Sequence, residues 1–179
     1  MDKKMTGTAP GAYPFLALAD QVFLKQCILD VYTASGPGGQ KRNRTYSAVR
    51  LTHRPTGLSA CAEESRSQHE NRERALRRLK IILALRLRAL PEHDWNLPEE
   101  LLPYFQPAVI RMNPKNEHYP LFCAAMLDLL FRQRGSLSTT ARVLGISTAQ
   151  CGPLFVISKE LMAAANAIRA QFGLKPIKH

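Results

Sequence analysis

A chain of 179 residues with 45% hydrophobic residues suits one domain, or one small domain plus an appendage, around a proper core. Its net charge of +11 favours a polyanionic partner, either nucleic acid or an acidic membrane surface. Four scattered cysteines (Cys27, Cys61, Cys123, Cys151) form no CxxC pair and have no histidine at ligand spacing, which argues against a zinc site or any other metal and fits space-filling thiols in a reducing compartment.

Residues 1–14 are polar with Gly and Pro and are expected to be disordered. Residues 15–26 fit a short helix. The apolar run from Phe15 to Ala19 is cut by Asp20, too soon for a signal peptide, and no stretch is long enough to span a membrane, so a soluble, cytoplasmic protein is expected. Residues 27–33 read as a strand that leads into SGPGGQKRNR, residues 35–44. The adjacent Gly38 and Gly39 permit backbone angles that a Cβ forbids and allow close approach to another molecule. Gln40 adds a neutral amide, and Lys41, Arg42 and Arg44 add dense positive charge. By itself the triplet Gly38-Gly39-Gln40 is also what an ordinary turn looks like. Residues 45–53 form a second expected strand, with Val49 and Leu51 on one face and Arg50 and Thr52 on the other. Pro55-Thr56-Gly57 is the turn into a third, residues 58–63, with Leu58, Ala60 and Ala62 on one face.

A long helix follows. Ser65 and Gln68 have capping-box spacing. Ala75, Leu76, Leu79, Ile82, Leu83, Leu87 and Leu90 form a helical stripe able to cover a sheet, and Pro91 ends the helix. Arg72, Arg74, Arg77, Arg78, Lys80, Arg86 and Arg88 mostly occupy other faces, where they serve either as a solvated surface or as contacts to nucleic-acid phosphates. Charge is concentrated here: residues 41–88 hold 13 Lys/Arg against 4 Asp/Glu, whereas residues 1–40 are balanced and residues 89–179 carry only 9 against 7.

Prolines 91, 98, 103, 107 and 114 break up the next stretch, read as a linker (91–112) with one short helical piece near Glu99–Phe105. Residues 113–179 read as a helical domain. One helix runs from Pro120 to Arg134 with Leu121, Ala124, Ala125, Leu127, Leu130 and Phe131 apolar. Ser138 is placed to cap a second that ends at Gly145, Ser147 and Gln150 suit a capping box, and the last spans Lys159 to Phe172 with Leu161, Met162, Ala165, Ile168 and Phe172 inward. Ala141, Gly145 and Ile146-Ser147 have helix-turn-helix spacing. Residues 148–157 contain no charged side chain, and Gly152-Pro153 is expected to disrupt that helix near its start, which counts against groove reading. The bundle reads as a packing unit, with docking on a partner surface equally open.

SGPGGQ (35–40), Asn43, SAVRLTH (47–53), PTG (55–57), RSQ (66–68), Asn71 and Ala75 together resemble the catalytic domain of class I peptide chain release factors and of codon-independent ribosome-rescue hydrolases. The resemblance covers roughly residues 15–90, taken as a peptidyl-tRNA hydrolase domain. It implies an α+β fold: a small antiparallel sheet packed on a long helix, here followed by the helical bundle. It also implies hydrolysis of the peptidyl-tRNA ester in the peptidyl transferase centre, with large-subunit rRNA and peptidyl-tRNA as partners, a monomer off the ribosome, and neither membrane nor DNA. No cofactor is implied.

In that family the backbone N–H of the Gln faces developing negative charge and its side chain, often methylated, positions or selects water. By resemblance those roles fall to Gln40, with Gly38 and Gly39 supplying the conformation. The residues agree, since an amide is no base at neutral pH and no Ser–His–Asp set or paired carboxylate is recognisable in the basic segment. Lys41, Arg42, Arg44, Arg50, Arg66, Arg74, Arg77 and Arg78 are the expected RNA-binding residues, joined by Asn43 through local hydrogen bonding. Ser67, Gln68 and Asn71 match the helix-start motif. His53 and His69 read as lone structural histidines.

A decoding release factor needs a separate codon-reading domain, and no segment here is of the size or in the place for one, so codon-independent action is expected. Residues 160–179 carry only Arg169, Lys175 and Lys178, unlike the basic tails of other rescue hydrolases. Two other readings remain: a non-catalytic ribosome- or RNA-binding factor, and a DNA-binding regulator acting through residues 136–157.

Overall fold

The computed structural model describes residues 11–33, 47–89, 95–106 and 109–178. They fall into two units. Ala17–Leu83 forms one, and residues up to Leu16 join those from Ala84 onward in the other. No helix among the described residues is long and apolar enough to cross a membrane.

The first unit is built on a three-stranded antiparallel sheet. β1 (Cys27–Tyr32), β2 (Ala48–His53) and β3 (Ser59–Ala62) lie in sequence order, with β2 in the centre. Register pairs Leu29 with Leu51, Arg50 with both Asp30 and Cys61, and Val49 with Ala62. Alternation along β2 holds: Val49 and Leu51 are fully buried while Arg50 is exposed. Ala60 and Ala62 are buried from β3. The helix α3 (Gln68–Arg86) contributes Ala75, Leu76, Leu79 and Leu83 to the same unit's core. Each fully buried leucine contributes about 1.5–3 kcal/mol of transfer free energy. β1 is an edge strand, and there alternation fails: Ile28 and Leu29 are both about half exposed.

The residues expected to form one helix at 15–26 form two short ones, α1 (Tyr13–Leu16) and α2 (Asp20–Lys25). α3 also starts differently from expectation. Ser67, not Ser65, is the residue whose hydroxyl accepts from the N–H three residues on, at Glu70 (3.4 Å). The Ser65 hydroxyl accepts from Ser67 N–H (3.0 Å), forming a turn just ahead of the helix. Between β2 and β3 the His53 carbonyl accepts from Gly57 N–H (2.8 Å), and Gly57 sits at φ +68. An L-side chain there pays about 1–2 kcal/mol.

The second unit is helical. α4 (Tyr119–Arg132) is buried at every position from Tyr119 to Leu130, including Asp128. Burial thus extends well beyond the apolar residues picked out from the sequence, because α4 is enclosed on all sides, as helices apolar all round are. α1 and α7 (Lys159–Gln171) pack against it. α5 (Leu137–Leu144) and α6 (Thr148–Leu154) form the helix-turn-helix-like pair. Three serines cap these helices: Ser136 accepts from Thr139, Ser147 from Gln150, and Ser158 from Leu161. Ser136 therefore takes the place expected of Ser138. The capping box at Ser147 and Gln150 forms as expected, and Gly145 ends α5 at φ +68.

Ahead of α4 lies a 3₁₀ helix (Glu99–Tyr104), where a short helical piece was expected, and then a two-residue ladder of β4 (Phe105–Gln106) and β5 (Val109–Ile110), which the sequence did not signal. Leu101 is fully buried, and the Phe105 ring lies 6.1 Å from Phe122 of α4. The acid in α4 is paired: Arg88 donates to Asp128 Oδ1 at 2.8 Å, Ala89 N–H reaches the same oxygen at 3.3 Å, and Arg88 also donates to the Ala84 carbonyl. Burial pushes the Asp128 carboxyl up, against the pull of Arg88.

Candidate functional site

Tyr32 and Ala48 are register partners at the open end of the β1–β2 pair, so the segment between them leaves and returns at one place. The expected catalytic residues Gly38, Gly39 and Gln40 lie in that segment, with Lys41, Arg42, Asn43 and Arg44. All seven fall outside the described residues. The base of the segment is described, and one side chain builds it. Asn71, fully buried in the first turn of α3, donates to the Ser47 carbonyl at 2.6 Å and to the Ser65 carbonyl at 2.8 Å, and its Oδ1 accepts from Ser65 N–H at 3.0 Å. One carboxamide thus fastens the start of β2 to the entry of α3. Sequence reasoning matched Asn71 to a helix-start motif without giving it this task. The signal available was a polar residue on the buried face of an otherwise apolar stripe.

Of the five expected RNA-binding arginines that are described, all are exposed. They differ in what already holds them. Arg50 lies on the solvent face of the sheet, with Nε 3.4 Å from Cys61 Sγ, Nη1 3.8 Å from Asp30, and the Tyr32 ring centroid 5.3 Å away. Arg78 donates to the Cys61 carbonyl at 2.7 Å and pairs with Glu64, whose carboxyl that hydrogen bond holds below the usual range. Arg50 and Arg78 therefore meet at Cys61. Arg74 pairs with Glu70 at 3.5 Å, one helical turn away. Arg77 projects from α3, and Arg66 stands in the turn before it. Exposed pairs like these are worth about 0–1 kcal/mol each, so exchanging a carboxylate for a phosphate costs little. Arg78 is the costlier one to move, because a backbone carbonyl would lose its donor.

His53 is not a lone histidine. It is fully buried, with Nδ1 2.9 Å from Thr56 Oγ1 and Nε2 3.1 Å from Gln26 Oε1, and its ring stacks on Phe23 at 5.1 Å. Burial lowers its pKa. It joins the turn after α2 to the turn after β2. His69 also has a partner, Glu73 at 3.1 Å on the helix surface.

In the second unit, α6 carries no charged residue, and Gln150 directs its Oε1 back to the Ser147 N–H (2.9 Å) and hydroxyl (2.8 Å). The side chain best suited to reading a base is engaged in a cap. Pro153 sits in the last turn of α6 rather than disrupting its start. The terminal residues fold back on α7. Asn166 exchanges hydrogen bonds with the Ile177 backbone, and Arg169 donates to the carbonyls of Lys175 (2.8 Å) and Gly135 (2.5 Å).

Residues 21–95 match the family model described as the RF-1 domain. Three similar curated proteins all bear the name peptide chain release factor 1. That of Acetivibrio thermocellus is 54% identical over 52 residues, covering 29% of this chain and 14% of that protein. That of Syntrophomonas wolfei is 48% identical over 68 residues, 38% of this chain and 18% of the other. That of Gluconacetobacter diazotrophicus is 54% identical over 61 residues, 34% and 17%. The chain thus spans less than a fifth of the length of these relatives. The three-stranded antiparallel sheet and long helix fall within the matched segment.

Proposed function

We propose, of a chain whose residues 21–95 are an RF-1 domain, that it hydrolyses the ester joining a nascent peptide to tRNA on the large ribosomal subunit without reading a stop codon. The observation that carries the reading is that the matched segment contains Gly38-Gly39-Gln40 between two strands whose ends are paired, the second of them fastened at its start by Asn71. Gln40 presents its backbone N–H to the oxyanion that develops as water attacks the ester, and Gly38 and Gly39 supply the backbone conformation. Losing such a donor costs about 10²–10³ in rate. Ribosomal RNA forms the walls of the site, so the protein alone is nearly inert.

Lys41, Arg42, Asn43 and Arg44 hold the segment against rRNA, and Arg50, Arg66, Arg74, Arg77 and Arg78 bind phosphates without reading sequence. Residues 15–90 act as the hydrolase domain, 91–112 connect, and 113–179 dock. The uncharged α6, with Gln150 engaged in its cap, supports a docking role over base reading, whether of DNA or of a codon. The protein works in the cytoplasm as a monomer off the ribosome and uses no cofactor.

The test is peptide release from purified ribosomes stalled on an mRNA without a stop codon, comparing wild type with Gly39→Ala. Release by wild type that falls about 100-fold or more in the variant is expected. Tight ribosome binding with no release by either would overturn the hydrolase reading in favour of a binding factor.

A further inference from the structure

In the helical unit, Ile110, Arg111, Met112, Asn113, Asn116, Pro153, Leu154 and Ile157 line an open cleft of about 500 Å³. That size falls in the range of small-molecule sites, which pair apolar walls with a few placed polar groups. Five of the eight lining residues are apolar, and none is acidic. The polar groups are unequal in what they have left to offer. Asn113 Oδ1 already accepts from Lys115 N–H at 2.8 Å. Asn116 is committed at both ends, its Oδ1 to His118 N–H (2.8 Å) and its Nδ2 to the Tyr104 hydroxyl (3.1 Å). Each carboxamide oxygen thus already accepts one backbone donor. Among the side chains lining the cleft, the one charged group is the Arg111 guanidinium, and the Asn113 amide N–H groups stand beside it as further donors.

We infer that this cleft binds a small organic anion, with an apolar body against Ile110, Met112, Leu154 and Ile157 and a carboxylate, phosphate or sulfonate head on Arg111 and Asn113. A guanidinium gives such a head its strongest, charge-assisted hydrogen bonds. A cationic ligand would find no carboxylate among the lining residues and would meet the Arg111 charge instead. The site is independent of the ester-hydrolysis reading, since no lining residue belongs to the RF-1 segment.

The probe is 8-anilinonaphthalene-1-sulfonate, with the uncharged N-phenyl-1-naphthylamine as its counterpart, titrated by fluorescence into the full chain. Wild type should bind the sulfonate at one site, with amide shifts in NMR confined to residues 110–116 and 153–157. Arg111→Gln should weaken the sulfonate about tenfold or more and leave the uncharged probe unchanged. Asn113→Asp, which adds a negative charge, should do the same. Ile157→Trp, filling the cleft, should weaken both probes. Arg111 and Asn113 are exposed, so their variants keep the fold, and matching thermal melts verify this. No sulfonate binding, equal affinity in wild type and Arg111→Gln, or shifts elsewhere would each overturn the inference.

Discussion

The Asn71 carboxamide donates to the Ser47 carbonyl at 2.6 Å from a position where no solvent reaches it. Its other two bonds hold Ser65 at the entry to α3. Removing the side chain leaves buried groups on both segments without partners, each costing about 1–3 kcal/mol. Asn71→Ala should therefore destabilise the protein by about 2–4 kcal/mol in chemical denaturation. Asn71→Asp should not rescue it, since a carboxylate cannot donate to the two carbonyls. Leu79→Ala, costing a comparable 2–5 kcal/mol in the core of the same unit, serves as the control. If Asn71 positions the catalytic segment, its variant loses more release activity than the stability-matched control. Equal losses would reduce Asn71 to a structural role.

The buried pair of Arg88 and Asp128 makes a second prediction. Breaking it by Asp128→Asn strands a guanidinium that is only 15% exposed. A loss of about 3–5 kcal/mol is expected. Replacing both partners with apolar residues, Arg88→Met with Asp128→Leu, should recover most of it, because neither change then leaves a buried charge. A double variant as unstable as the single one would show that the pair is needed for more than neutralising itself.

His53 gives the fold a pH dependence of defined sign. Burial lowers its pKa in the folded state, so the unfolded chain binds the proton more readily. The stability it contributes is fully present above the ordinary histidine value of about 6.5 and is lost as pH falls below that toward the folded-state value. Wild type should lose more stability between pH 7.5 and pH 5.5 than His53→Gln, as read by urea midpoints. Parallel losses in the two proteins would assign the acid sensitivity to other groups.

The arginines should separate into two groups. Arg66→Ala removes an exposed cation and should weaken ribosome binding, lowering the slope of log affinity against log salt by about one if it contacts a single phosphate, with the melting temperature unchanged. Arg78→Ala should lower both, because the Cys61 carbonyl and Glu64 lose their donor. Melting curves together with salt titrations of binding distinguish the two.

The β-sheet and α3 could be read from sequence because their burial follows simple periods, as Val49, Arg50 and Leu51 illustrate. The capping box at Ser147 and Gln150 was legible for the same reason: its partners are three residues apart. Where two serines stood two residues apart, at 65 and 67 and at 136 and 138, spacing alone could not decide which one caps. In the first case Asn71 holds the Ser65 backbone ahead of the helix, which leaves Ser67 at the cap. The full enclosure of α4 was not legible, because burial of residues such as Asp128 depends on what surrounds the helix. His53 seemed partnerless because Gln26 is 27 residues away in the chain and adjacent only across the fold. Among the site residues, the Glu70–Arg74 pairing follows from helical spacing. Arg50 meeting Cys61 depends on strand register, which no local pattern revealed.

Arg169 donates at once to carbonyls at Gly135, just past the end of α4, and Lys175, near the end of the chain. Segments forty residues apart in sequence therefore share a single planar group. When the tail is pulled away, Nε loses its acceptor while Nη1 keeps Gly135, and the guanidinium is free to pivot. One side chain on α7 thus fastens both the tail and the corner between α4 and α5, so losing Arg169 unfastens two segments at once.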